Sequence, residues 1–278
     1  MVKIYYRNKN DAYRIKETFE RINVEDNEIN FILTCADNNL DLAKFLYTNS
    51  KINIHTHDEA PFRLAVKNNS YDVIDWLWEL SVAMRSKIDY RIYTDEAFRK
   101  ACANGSLRLV KWLYDKGNIN VNCKNDYAFR KICKYGYFEL MKWLLSINKF
   151  ININVMDGYA LRMACRFGHC DVVEYLLDNY NYVNVHAKDN ECYVYACTNG
   201  YLEIVKKLFE YCARRNGINN GIKIDIKICC HGGFRMACEN NHLAVVEWLV
   251  NNLKSVYRYN INYNYKVKDG MIVDYSWR

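Results

Sequence analysis

The chain has 278 residues, 51% of them hydrophobic, with a single proline, 12 cysteines and a formal net charge of +7. That apolar content is enough for a continuous core, yet no uninterrupted apolar run nears the ~18 residues that a membrane span needs, so no membrane association is expected. The basic residues lie beside acids and never run to five, which fits a mixed solvated surface better than a nucleic-acid footprint.

In chain order, the first residues carry charges at Lys3 and Arg7 and show no small-residue cleavage pattern, so no secretory leader and an intracellular protein are expected. Residues 11–22 read as a helix with Ile15, Phe19 and Ile22 on one face, and 1–27 is assigned to an N-terminal helical cap. Ile22-Asn23-Val24 then introduces a pattern that returns as Ile52-Asn53-Ile54, Ile119-Asn120-Val121, Ile151-Asn152-Ile153 and Val183-Asn184-Val185. Such alternation predicts short extended segments.

Between these segments recurs one unit, clearest at 160–177, ALRMACRFGHCDVVEYLL. Leu161, Ala164 and Cys165, at i, i+3 and i+4, stripe a first helix, and Gly168 ends it with a residue suited to positive φ. A second helix over about 170–178 places Val172, Val173 and Leu176 together. A pair this short cannot bury its own apolar face and must stack on copies of itself.

With Ala164 as origin, the copies are centred on Thr34, Ala65, Ala101, Ile132, Ala164, Ala196 and Ala237, spaced by 31, 36, 31, 32, 32 and 41 residues. Three positions earlier stand Phe31, Phe62, Phe98, Phe129, Leu161, Tyr193 and Phe234; twelve later stand Leu46, Leu77, Leu113, Leu144, Leu176, Leu208 and Leu249. Four later, Asn38, Asn69, Gly105, Gly136, Gly168, Gly200 and Asn241 all tolerate positive φ, so every first helix should break at the same place. Seven repeats are therefore assigned to 28–58, 59–94, 95–125, 126–157, 158–188, 189–227 and 228–260, with insertions read as loops at 83–90 and 213–221. Residues 261–278 start like another linker, lack a helix pair, and are assigned to a C-terminal cap or tail.

A helix pair of about 33 residues that opens on Ala60-Pro61-Phe62-Arg63-Leu64-Ala65 resembles the ankyrin repeat and its T-P-L-H-x-A run. The histidine slot of that run holds Arg63, Arg99, Arg130, Arg162 and Arg235 instead, and Ile32 and Val194 in the other two copies. This arginine version, with its Ile-Asn-Val linkers, is similar to the large ankyrin-repeat families of giant, mimivirus-like DNA viruses. The resemblance implies an all-α repeat solenoid, an ankyrin-type stack of helix-turn-helix units joined by short extended fingers. It further implies a non-enzymatic scaffold that binds a partner protein on a concave face of finger tips and first helices. The alternative is that basic residues of the same face take nucleic acid or an acidic partner. A viral origin would make the partner a host protein and place the chain in the host cytoplasm, or the nucleus; a monomer is expected.

The remaining residue classes have plain readings. Cys35, Cys102, Cys133, Cys165, Cys197 and Cys238 share the slot after the origin, where they serve as small buried apolar groups. Cys229-Cys230-His231 lacks a second ligand pair at zinc-site spacing, so neither metal nor cofactor is expected. Trp76, Trp112, Trp143 and Trp248, with Phe45 and Tyr175, form a packing stripe eleven after the origin. Arg63, Arg99, Arg130 and Arg162 are each read as holding a finger turn through carbonyls and the acid shortly before it, Asp58 or Glu59, Asp95, Asp126, Asp157, whereas Arg235 has no acid in those positions and is assigned no partner. No nucleophile elbow, phosphate loop or zinc-protease motif occurs, and no catalytic residue is assigned. The partner-binding candidates are Tyr135 and Phe167, at one first-helix slot of adjacent repeats, flanked by Lys134 and Arg166 and extended by Tyr127, Tyr159 and Met156.

Overall fold

The computed structural model describes residues 27–218, 226–256 and 263–277, with side chains over 27–214, 231–252 and 264–276. The helix expected at 11–22 and the side chains of Cys229 and Cys230 lie outside the described residues. Two compact units meet at the Lys124/Asn125 peptide.

The first unit holds α1 (Asn27–Ala36), α2 (Leu40–Ser50), α3 (Thr56–Asn68), α4 (Tyr71–Ala83), α5 (Ile92–Ala103) and α6 (Leu107–Asp115). Its first helices end at Asn38 (φ 56°), Asn69 (φ 59°) and Gly105 (φ 74°), the positions chosen for that conformation by the sequence. Phe31, Phe62 and Phe98, with Leu46, Leu77 and Leu113, are fully buried, because α1, α3 and α5 pack side by side with their second helices beneath. The two stripe tryptophans of this unit pack on the phenylalanine of the repeat before: Trp76 meets Phe31 at 6.3 Å and Trp112 meets Phe62 at 6.4 Å.

The second unit contains α7 (Cys123–Tyr135, opening two residues before the division), α8 (Phe138–Ile147), α9 (Val155–Phe167), α10 (Cys170–Asn179), α11 (Ala187–Thr198), α12 (Leu202–Ile218), α13 (Ile226–Glu239) and α14 (Leu243–Val256). Leu144, Leu176, Leu208 and Leu249 are again fully buried, as are Phe129, Leu161, Tyr193 and Phe234. Lys207 occupies the aromatic slot of its repeat and instead pairs with Glu174 at 2.5 Å. The ten described cysteines are free thiols, and all but Cys170 are buried.

Two segments differ from expectation. The stretch 213–221 is helical as far as Ile218, not a loop, since nothing in Ala213-Arg214-Arg215-Asn216 breaks a helix. The tail is a β-hairpin, β1 (Tyr263–Lys268) against β2 (Met271–Trp277), turning at Asp269 (φ 52°) and Gly270 (φ 75°) as a two-residue hairpin requires. Among the described residues it is the departure from an all-α chain. It is fixed to the last helix pair by Ile272 N–H donating to Asn241 Oδ1 at 2.8 Å, and by Tyr275 standing edge-on to Phe234.

The fingers show how each first helix is aimed. The apolar residues of the linkers, Ile52 and Ile54, Ile151 and Ile153, Val183 and Val185, are buried, and no described linker pairs as a strand. The asparagine between them accepts the amide two residues on, as Asn53 does from His55, Asn120 from Asn122, Asn152 from Asn154 and Asn184 from His186. Three consecutive left-handed residues follow: His57 to Glu59, Tyr93 to Asp95, Lys124 to Asp126, Met156 to Gly158 and Lys188 to Asn190. Such runs are costly for residues with a β-carbon and persist only where surroundings over-determine them.

Here the slot arginines act, and the expected partner needs correcting. Arg63 donates to Asp58 O and His57 O, Arg99 to Thr94 O and Tyr93 O, Arg130 to Asn125 O, and Arg162 to Asp157 O and Met156 O. Backbone carbonyls are held in all four, and for Arg63 and Arg162 the ionic partner is not the preceding acid. Arg63 pairs with Glu96 and Arg162 with Glu191, both from the next repeat. The preceding acids face elsewhere: Asp95 Oδ2 accepts the amide of Asn120 and Asp126 Oδ2 that of Asn152, tying finger to finger. A left-handed turn points its carbonyls toward the guanidinium and its third side chain away, a geometry that residue spacing alone does not reveal.

Candidate interaction surface

Repeats are joined at the ends of the first helices, where carbonyls lack helical partners. The residue five after the origin reaches the carbonyl two after the preceding origin: Ser70 Oγ donates to Ala36 O at 2.7 Å, His169 Nε2 to Lys134 O at 3.0 Å and His242 Nε2 to Thr198 O at 2.8 Å. The imidazoles of His169 and His242 must therefore carry a proton on Nε2. Their rings need room, which the turn glycine provides: a β-carbon on Gly136 would lie 2.3 Å from His169 and one on Gly200 2.5 Å from His242, as one on Gly168 would lie 2.7 Å from Tyr201. In three repeats an asparagine three after the origin adds a second strut, whereas Asn240 in the same slot donates to Met236 O of its own helix. Asn68 donates to Ala36 O, Asn104 to Lys67 O and Asn199 to Arg166 O.

In two adjacent repeats that slot is aromatic and makes no such strut. Tyr135 is 44% and Phe167 45% exposed, each tilted beside a ring of its own turn, Tyr137 and His169 respectively. Lys134 Nζ lies 5.2 Å from the Tyr135 centroid and 5.5 Å from that of Phe167; the Arg166 guanidinium lies 5.8 Å from Phe167 and 5.2 Å from Tyr195. The structure thus joins the four central candidates in one row, ring, cation, ring, cation, with Tyr195 as a fifth member that residue identity alone did not suggest. Both cations sit in the last turns of α7 and α9, where the helix dipole favours positive charge. Among the described residues neither has a carboxylate within 4.0 Å.

The outlying candidates form a second cluster one turn nearer the fingers. Arg130 lies over Tyr127 at 5.7 Å and over Tyr159 at 5.4 Å, and Arg162 lies 6.0 Å from Tyr159. Tyr127 and Tyr159 are half-buried and brace the finger arginines, whereas Met156, at the left-handed turn, is 50% exposed. The sequence placed these tyrosines beside the central row; the arginines between them were the missed members.

One constellation has the geometry of a hydrolase triad. Ser86 Oγ lies 2.9 Å from His55 Nε2, and His55 Nδ1 2.9 Å from Glu59. The repeat itself explains it: the buried Glu59 carboxylate also accepts the amide of Asp89, the task Asp95 and Asp126 perform, and His186 meets Asn190 in the same way at 2.6 Å. It is a finger strut.

Comparison with known proteins agrees with this architecture. The family model described as "Ankyrin repeats (3 copies)" matches residues 98–189 and 129–226. No curated protein sequence matches. Among solved structures, the human ASB11 ankyrin repeat domain is similar with a TM-score of 0.55 at 19% identity, covering 80% of this chain and 96% of that one. No described helix is long and apolar enough to cross a membrane. The chain therefore has the ankyrin repeat fold, and over residues 98–226 its repeats match the ankyrin family in sequence as well.

Proposed function

We propose that this chain is a non-catalytic protein-interaction module whose second unit binds a partner protein across the exposed edges of α7, α9 and α11. Ankyrin repeats in general mediate protein–protein contacts, and a solenoid offers its first helices as an extended surface. One observation carries the assignment to this place. The slot that holds a strut asparagine in three other repeats holds Tyr135 and Phe167 here, exposed in adjacent repeats and flanked by Lys134 and Arg166. Binding energy concentrates in such aromatic and arginine anchors. Met156 extends the surface toward the finger, and Tyr127 and Tyr159 support it through Arg130.

The test is Tyr135→Ala with Phe167→Ala. Neither ring makes a cross-repeat hydrogen bond, so the double variant should keep the wild-type circular dichroism and urea midpoint. It should lose the proteins that immobilised wild type captures. A variant that still captures all of them, or one that unfolds before losing any, overturns the proposal.

A further inference from the structure

We infer that the occupant of this surface is an extended, acidic peptide segment whose carboxylates stand two residues apart, with apolar side chains at the next positions of the same face. The inference rests on the interaction reading above and supplies the partner's chemistry. Lys134 and Arg166 both lie within 6 Å of the Phe167 ring centre, at 5.5 and 5.8 Å, so their charges are no more than ~11 Å apart. An extended chain advances ~3.3 Å per residue and turns alternate side chains to one face, so carboxylates two positions apart face the surface together and reach one cation each. The backbone between them then lies over Phe167, and the next side chains of the same face meet Tyr135 and Tyr195.

Charge sets this row apart from the rest of the unit. On the second helices Lys142 is matched by Glu139, Lys206 by Glu203, Lys207 by Glu174 and Arg214 by Asp178; on the fingers Lys188 is matched by Asp157. Lys131, Lys134 and Arg166 are the first-helix cations that, among the described residues, rest over rings with no carboxylate partner. Their placement suits separate carboxylates. A phosphate group would call for donors converging on one point, as in bidentate arginine clusters, whereas each of these cations is also drawn to a different outer ring, Lys134 to Tyr135 and Arg166 to Tyr195. A nucleic acid would need open ring faces for stacking and an unbroken basic track. Here cations already lie over the rings, and Asp126, Asp157 and Asp189 sit at the other end of the same helices.

The experiment is selection of random dodecapeptides displayed on phage against the full chain, followed by fluorescence anisotropy with the winning peptides. Peptides whose binding depends on Tyr135 and Phe167 should carry Asp or Glu at the stated spacing. Replacing those acids by Asn or Gln should weaken binding about tenfold for each lost charge contact, and Lys134→Glu with Arg166→Glu should do the same or more. The charge variant must keep the wild-type melting curve, and Lys134→Gln with Arg166→Gln, expected to show an intermediate loss, serves as a milder second variant. Winners that need Tyr135 and Phe167 yet show no acidic enrichment would overturn this inference and leave the interaction surface standing. Winners indifferent to both aromatic changes would overturn both. A twenty-residue oligothymidylate bound more tightly than any acidic peptide at 150 mM salt, and lost in the charge variant, would replace the peptide by a nucleic acid.

Discussion

Replacing Arg162 by Met separates two accounts of how a finger is held. The guanidinium donates to Asp157 O at 2.8 Å and to Met156 O at 3.2 Å, pairs with Glu191, and its side chain is 11% exposed. Methionine keeps the stem and removes every donor. Each lost bond to a charged group is worth about 1.5–3 kcal/mol, discounted because the freed carbonyls and the Glu191 carboxylate, 31% exposed, can turn to water. The left-handed Met156 and Asp157 would also lose the group that fixes them. A loss of about 3 kcal/mol in urea denaturation is expected. Asp157→Asn should cost under about 1 kcal/mol, because among the described residues that carboxylate pairs with the exposed Lys188, 56% against 61%. If Arg162→Met falls within about 1 kcal/mol of wild type, or Asp157→Asn equals it, the carbonyl account fails and the preceding acid is the true partner.

Three further outcomes follow from the same coordinates. Burial, opposed by the Asn120 amide and the Arg91 and Arg99 charges, pushes the Asp95 carboxyl above its ordinary 3.8, with Asp89 adding to the rise. The native state then holds a proton longer than the unfolded chain, so this group lowers stability as pH rises from about 3.8 through its raised value; Asp95→Asn should abolish that slope in denaturation curves between pH 4 and 7. Burial lifts the Cys35, Cys197 and Cys238 thiols to about 12 and those of Cys102, Cys133 and Cys165 well above 9.0, so Ellman's reagent at pH 8 should reach them only after denaturation, with half-buried Cys170 reacting first among the described thiols. Leu176→Ala should cost roughly 2–5 kcal/mol by emptying a fully buried site, and a negligible shift of the urea midpoint would contradict the leucine ladder.

How much of this was legible in sequence depends on the range of the interaction involved. The leucine twelve after the origin and the ring three before it recur because one packing solution is copied, and a fixed period exposes it without coordinates. Positive φ at Asn38, Asn69, Gly136 and Gly168 was legible because few residues tolerate it. The arginine partner was not: a left-handed triplet reverses which atoms face inward, and Asp157, five residues before Arg162, proved less relevant than Glu191, 29 residues away. The hairpin at Tyr263–Lys268 and Met271–Trp277 was missed although Lys268-Asp269-Gly270-Met271 carries a hairpin turn signal, because one repeat of linker-like residues preceded it.

A subtler signal linked one repeat to the next. Asn38 and Asn69 are each followed, one repeat on, by a small residue, Ser70 and Ser106, whereas Gly136, Gly168 and Gly200 are followed by His169, Tyr201 and His242. The pairing is steric, since the ring lies where a turn β-carbon would be, and its polar tip reaches the carbonyl two after the origin in the two histidine cases. Once His169 bonds Lys134 O, the residue at the asparagine slot of its repeat is no longer needed as a strut, and Phe167 can occupy it and face outward. Asn199 shows that the exchange is permitted and not forced, because it keeps its bond to Arg166 O beside Tyr201. An exposed Phe167 is thus compatible with a satisfied Lys134 carbonyl, and a slot released from strut duty is free to vary toward whatever it binds.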